Sequence, residues 1–161
     1  MSVIRRIAAP TLLWLGLCCA ALAPAQQAGP AAATPGDGRQ GTFKAVQGEV
    51  TVVRANVRSA AVVGAAVLAA DRIVTGPDSA AALSLKDGTV LSVGPQSVVD
   101  LSAFDYNATT QEGNLLVSLL RGSLRMVTGL IAKLKPEQVQ VTTPTTVIGV
   151  RGTDFIVEEN P

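Results

Sequence analysis

Histidine is absent from the 161-residue sequence. That removes Ser-His-Asp and Cys-His triads, imidazole-ligated zinc and any acid/base step carried by imidazole near neutral pH. Cysteine is nearly absent: Cys18 and Cys19 are the only two, and they fall in the N-terminal segment with the only tryptophan, Trp14. Aromatics make up 3% of the chain, too few and too dispersed for a base-stacking platform. Neither sign of charge is in excess, with 13 Lys and Arg against 12 Asp and Glu, so a basic nucleic-acid stripe and an acidic tail are both excluded. Bulk electrostatics therefore names no partner.

What is present begins with an export pattern. Arg5 and Arg6 precede an apolar run from Thr11 to Leu22, and Ala23-Pro24-Ala25 supplies the small residues of a cleavage site. Residues 1–25 thus read as a secretory signal peptide cut after Ala25. A retained membrane anchor wants roughly 20 apolar residues, and Pro10 shortens this run. The alternative is a lipoprotein signal, with lipid carried by Cys18 or Cys19. Leu15-Gly16-Leu17-Cys18 has the required leucine, but such signals want Gly, Ala or Ser directly before the cysteine, where Leu17 and Cys18 stand here. Cleavage after Ala25 removes both thiols, so disulfides, thiol catalysis and thiolate metal sites leave with the signal. A domain of roughly 120 residues must then rest on its apolar core.

Residues 26–40 are rich in Ala, Gln, Gly and Pro without apolar periodicity and read as a flexible spacer. Residues 41–161 read as one all-β domain of short strands and hairpins with little helix, because Val, Leu, Ile and Ala are interrupted by Gly or Pro every few residues. Gly48, Gly88, Gly122 and Gly152 each open an alternating apolar run, too unevenly spaced for a strict repeat. The clearest hairpin runs from Ala81 to Val93. A three-residue loop with a left-handed Gly88 pairs Leu83 with Leu91 and Ala81 with Val93, whereas a two-residue turn would put Leu91 on the wrong face. Gly76-Pro77-Asp78-Ser79 and Gly94-Pro95-Gln96-Ser97 punctuate the strands on either side. Gly122 divides the apolar segment 113–127 into two strands, and a short helix within 129–135 is stopped by Pro136.

The run Val141-Thr142-Thr143-Pro144-Thr145-Thr146-Val147-Ile148-Gly149-Val150-Arg151-Gly152-Thr153-Asp154-Phe155 resembles the signature of the FecR protein domain family. Gly48 to Arg54, Asp71 to Gly76, Leu83 to Thr89 and Gly122 to Arg125 resemble further segments of that family in the same order, so the resemblance covers residues 44–158. It implies a periplasmic all-β domain, built as a sandwich or a short solenoid. The best-known members regulate extracytoplasmic-function sigma factors through a cytoplasmic arm and receive a signal from an outer-membrane transporter. Only six residues precede Ile7 here, so the expectation is an exported binding or sensing module without that arm. Thr143, Pro144, Gly149, Arg151, Gly152, Thr153 and Phe155 carry the family motif and read as structural.

No residue pattern indicates a catalytic centre, a metal or a cofactor. Asp87-Gly88-Thr89 inverts the aspartic-protease order and is explained by the hairpin. The remaining acids are scattered at turns without a calcium-loop spacing. Arg151, which with Asp154 is the most polar pair in an otherwise apolar strand, offers a planar donor fork to a carboxylate or phosphate of a partner, or caps neighbouring strand carbonyls or pairs with an acid of its own fold. Gly149 and Gly152 suggest close backbone approach or a bulge, and no phosphate loop. Phe104 and Tyr106 share a strand face, either packed inward or offered to a partner. The leading expectation is a periplasmic module that binds a protein of the bacterial envelope, touching the membrane only through its signal or a lipid. A lipid-tethered structural scaffold is the runner-up, and a glycan-acting enzyme using Asp100 and Asp105 comes last.

Overall fold

The computed structural model describes residues 38–151 and 154–160. The expected signal peptide, residues 26–37 of the spacer, Gly152, Thr153 and Pro161 lie outside the described residues, as does the lipid-bearing alternative at Cys18 or Cys19.

Twelve strands fill the described residues, with one five-residue helix, so the fold is all-β. In chain order they are β1 (Arg39–Gln47), β2 (Val50–Arg54), β3 (Val57–Ala60), β4 (Ala66–Leu68), β5 (Arg72–Thr75), β6 (Ala80–Leu85), β7 (Val90–Val93), β8 (Val98–Asn107), β9 (Glu112–Val127), β10 (Val139–Thr142), β11 (Val147–Gly149) and β12 (Asp154–Glu159). They join in one curled sheet of order β3-β2-β5-β8-β9-β7-β6-β1-β4, with β10 and β12 also bonded to β9 and β11 to β10. Where the sequence left sandwich and solenoid open, hydrogen bonding runs continuously through β9.

The strands form because apolar residues alternate. In β6 and β7, Ala81, Leu83, Leu85, Leu91 and Val93 are buried, while Ala82, Ser84 and Ser92 sit on the half-buried opposite face. The register is the expected one: Ala81 opposite Val93, Leu83 opposite Leu91, and Gly88 left-handed at φ +86°. Asp87 locks the loop, its carboxylate accepting the Thr89 amide at 3.0 Å and the Thr89 hydroxyl at 2.7 Å. Phe43, Leu83, Leu91, Leu101, Leu115, Leu119, Leu124 and Met126 form the centre of a single core. Each contributes about 1.5–3 kcal/mol by leaving water. The helix α1 (Leu130–Leu134) lies within the expected span, turns Ile131 and Ala132 inward, and gives way to a 3₁₀ turn that starts at Pro136.

The sequence expectation of two strands between Gly113 and Val127 is corrected. They are one 16-residue strand that bends at Gly122, φ +87°. Glu112 to Arg121 pair with β8, and Leu124 to Val127 pair with β7. Arg121 opposes Val98 and Leu119 opposes Val99, so Leu120 has no opposite residue in β8. Such a bulge sharpens the bend without breaking the ladder, which is why glycine here turns the strand rather than ending it.

A second corner has the same construction. Gly48, φ +69°, lies between β1 and β2, which pair with β6 and β5. The Ser79 hydroxyl accepts the Glu49 amide at 2.9 Å, and the Gly76 amide donates to the Glu49 carbonyl at 2.9 Å. At the Gly122 corner the Ser97 hydroxyl accepts the Ser123 amide at 2.9 Å, and the Gly94 amide donates to the Ser123 carbonyl at 2.9 Å. The two Gly-Pro-x-Ser turns are thus equivalent parts, each fastening a bent strand. They are also tied together: the Thr75 hydroxyl accepts the Ser97 amide at 2.9 Å and donates to the Gly94 carbonyl at 2.6 Å.

Candidate functional site

The family-like motif folds into the last part of the sheet. β10 runs parallel to β9, with Val139 beside Leu115 and Val141 beside Val117, and buries both valines. Thr143 closes the turn that follows. Its amide donates to the Thr146 carbonyl at 2.8 Å, and its hydroxyl accepts the Thr146 amide at 3.1 Å. Pro144 sits exposed at the tip, where a missing N–H costs nothing. The Thr145 hydroxyl donates to the Glu159 carboxylate at 3.3 Å, so the hairpin tip and the end of β12 touch. β11 then returns antiparallel to β10, and Val150 anchors the chain in the core.

β12 lies antiparallel on the second half of β9, Asp154 opposite Val127 and Val157 opposite Leu124. Val157 is buried, Phe155 packs half-buried against the core, and Ile156 between them is 65% exposed. Asp154 is held by Arg125, whose Nε donates to one carboxylate oxygen at 2.8 Å while a terminal nitrogen contacts the other. This hydrogen bonding keeps the Asp154 carboxyl below its ordinary pKa and raises Arg125 above its own. The acid in the motif strand therefore pairs with Arg125, 29 residues away, rather than with Arg151. Arg151 is exposed and forms no ion pair with a described residue.

Among the described strands, β12 pairs with β9 alone and β11 with β10 alone, so each leaves one edge open. Val147 on β11 is 67% exposed. Next to the end of β12 lies a groove of about 630 Å³, lined by Glu49, Pro77, Pro95, Arg121, Glu158 and Glu159 among others. The two proline turns and the bend at Gly122 thus form one wall of a cleft whose other side is the C-terminal strand. Open backbone edges, outward aliphatic side chains and a polar cleft with charges of both signs are the means by which one chain receives another.

Several sequence-derived candidates lie elsewhere. Phe104 is 4% exposed and belongs to the core, which removes it as a surface contact; Tyr106 is half-buried against the same core. The expected close approach at Gly149 is also corrected: a Cβ there would meet nothing within 4 Å. Asp100 is held by Arg72 through two bonds of 2.6 and 2.7 Å. Asp105 lies five residues further along β8, about 16 Å away at the rise of an extended strand, beyond the span of a glycosidase acid pair. No group of three or more potential metal ligands occurs among the described residues. Nor is any described helix long and apolar enough to cross a membrane.

Sequence reasoning missed Val147, Ile156, Arg121 and Arg125. Ile156 carried a usable signal, since strict alternation in Phe155-Ile156-Val157 places only two of the three residues inward. The two arginines carried none, because their neighbours are set by long-range pairing.

A curled, all-β module with an open C-terminal edge is the class that these features define. A family model described as FecR protein matches residues 71–161, more than half of the chain, and the chain belongs to the FecR protein family, a signal-transduction-related family associated with the cell envelope. The match begins at Asp71, so β1 to β4 lie before it although β1 and β2 complete one of the two corners. No curated protein and no solved structure matches the chain.

Proposed function

We propose that this FecR family member is an exported, periplasmic module that binds a protein partner of the bacterial envelope along its C-terminal edge, formed by β12 and the β10–β11 hairpin. The observation that carries the reading is Ile156: a large aliphatic side chain, 65% exposed, on a strand whose outer edge is unpaired among the described residues. Exposed aliphatic residues scattered singly need no explanation, but one on an open edge beside a cleft is placed where an added strand would cover it. Arg151 and Val147 flank that strand and supply a charge and a second apolar contact. Family membership supports a role in signal transduction, and the N-terminal pattern of Arg5, Arg6 and the apolar run to Leu22 supports export.

The reading assigns no turnover to the chain. Asp71, Asp87 and Asp100, the acids best enclosed by the fold, each serve a neighbouring group of the fold itself.

Fractionation of cells carrying a tagged chain tests export, and isolation of the tagged chain after mild crosslinking tests the edge. The expected result is a periplasmic chain that brings down a reproducible envelope protein, with that protein lost when Ile156→Asp and Val147→Asp are introduced together. Retention of the same protein by this exposed-surface variant contradicts the assignment of the edge, and a cytosolic chain contradicts export.

A further inference from the structure

At one end of the strand order β3 leaves a further edge open, and its outward backbone groups fix the register in which another strand can join it. β3 pairs only with β2 among the described strands, and all four of its residues are exposed. Val57, Val62 and Val63 are 67%, 60% and 63% exposed, three large aliphatic residues within a seven-residue stretch. Edge strands are normally blunted by shortness, charged side chains, proline, a bulge or cover, and β3 has only its four-residue length and one charge. Residues 57–63 contain no proline and no lysine, and Arg58 is their only charge.

The β2–β3 connection fixes which backbone groups face outward. Ala55 and Asn56 both have positive φ, +46° and +66°, as a two-residue type I′ turn requires. Arg54 and Val57 close that turn, so Val57 and Ser59 exchange hydrogen bonds with β2, while Arg58 and Ala60 point their N–H and C=O groups away from it. A partner strand must therefore engage Arg58 and Ala60.

We infer that this edge joins a second copy of the chain, antiparallel, about a two-fold axis that passes through Ser59. With an axis normal to the sheet, opposed residues must lie on the same face, so only registers centred on a residue are allowed. Centring on Arg58 sets the two guanidinium groups directly opposite one another, which repels. Centring on Ser59 sets Arg58 opposite Ala60 of the second copy, so that the outward groups of both residues bond reciprocally. The same register places Val57 against Ala61 of the second copy. The edge is self-complementary in hydrogen bonding and in apolar contact and keeps the two Arg58 side chains out of direct opposition, and the β3 interface is independent of the partner edge at β12.

In this register the two Ser59 residues form a non-hydrogen-bonded pair, with Cα atoms about 4.5 Å apart, within disulfide reach. The test uses the full chain with Cys18→Ala and Cys19→Ala, so that an introduced cysteine is the only thiol. Ser59→Cys is expected to form a disulfide-linked dimer on air oxidation, while Arg58→Cys and Val57→Cys, which do not oppose themselves, remain mostly unlinked. The unlinked chain is expected to sediment at twice its monomer mass, and Ala60→Pro, which removes an outward N–H, is expected to abolish the dimer and to make the melting temperature independent of chain concentration. Monomeric sedimentation of the parent chain, or linkage at Arg58→Cys equal to that at Ser59→Cys, overturns the proposal.

Discussion

Ser97 stands to Ser123 as Ser79 stands to Glu49: in each pair a serine hydroxyl, two residues after a turn proline, receives the backbone amide that follows a left-handed glycine, at 2.9 Å. Ser97 is fully buried and Ser79 is 2% exposed, while the Ser123 and Glu49 amides that they receive lie in part-buried bonds. Ser97→Ala and Ser79→Ala are expected to cost about 0.5–1.5 kcal/mol each, the net worth of one such hydrogen bond. Urea denaturation of the two variants checks this, and the near-equality of the two losses is the part specific to equivalent corners.

The glycines at these corners are required for space as well as for φ. A Cβ on Gly122 would stand 2.2 Å from the Ser97 hydroxyl oxygen and 2.6 Å from its Cα, and one on Gly48 would stand 2.4 Å from the Ser79 hydroxyl oxygen. Gly122→Ala is expected to destabilise by at least about 2 kcal/mol, combining a left-handed alanine with a backbone clash. Gly149→Ala, in open space, is expected to stay within about 0.5 kcal/mol of the parent. Thermal melts of the two single variants separate a corner glycine from a permissive one within the same chain.

Arg54 and Asp71 join β2 to the turn before β5. The Asp71 carboxylate is fully buried and accepts two bonds of 2.7 Å from Arg54 and one of 2.7 Å from the Leu68 amide. Because Arg54 is 45% exposed, the pair is worth less than a fully enclosed one. Arg54→Ala is expected to cost about 2–4 kcal/mol, since it strands a buried carboxylate. Adding Asp71→Asn to that variant should restore part of the loss, which equilibrium unfolding of the single and double variants measures.

Acid should loosen β12 before the rest of the sheet. The hydrogen bond from Arg125 holds the Asp154 carboxyl below its ordinary value, so its folded pKa is depressed. The contribution is therefore present above the unfolded pKa of roughly 4 and is lost as pH falls through the lower folded value. Amide exchange across residues 154–159, corrected for intrinsic rates, is expected to keep its protection down to about pH 5 and to lose a small part of it below about pH 4, as suits an exposed ion pair. In Asp154→Asn the protection should no longer change across that interval.

The hairpin of β6 and β7 was legible because one loop length alone puts Leu83, Leu91, Ala81 and Val93 on a common face. The family-like motif was legible through its resemblance to the FecR signature, and the hairpin that it forms turns at Thr143 and Pro144 between two short apolar runs. The bend at Gly122 was not legible, because a glycine between apolar runs ends a strand or turns it, and only the partners Val98 and Val99 decide which. Asp154 was noticed, but its partner Arg125 is chosen by the β9–β12 register, which no local pattern encodes. Phe104 stayed open between core and partner contact until its burial placed it in the core, whereas alternation along Phe155, Ile156 and Val157 already allowed Ile156 to be set apart.

Site-specific photocrosslinking in intact cells shows whether a partner covers the β12 edge. A photoreactive side chain at Ile156 or Val147 is expected to yield a discrete adduct with an envelope protein, and one at Lys86, on the exposed loop of the β6–β7 hairpin, is expected to yield none. Absence of an adduct at both edge positions, or an equal adduct at Lys86, contradicts a partner on that edge.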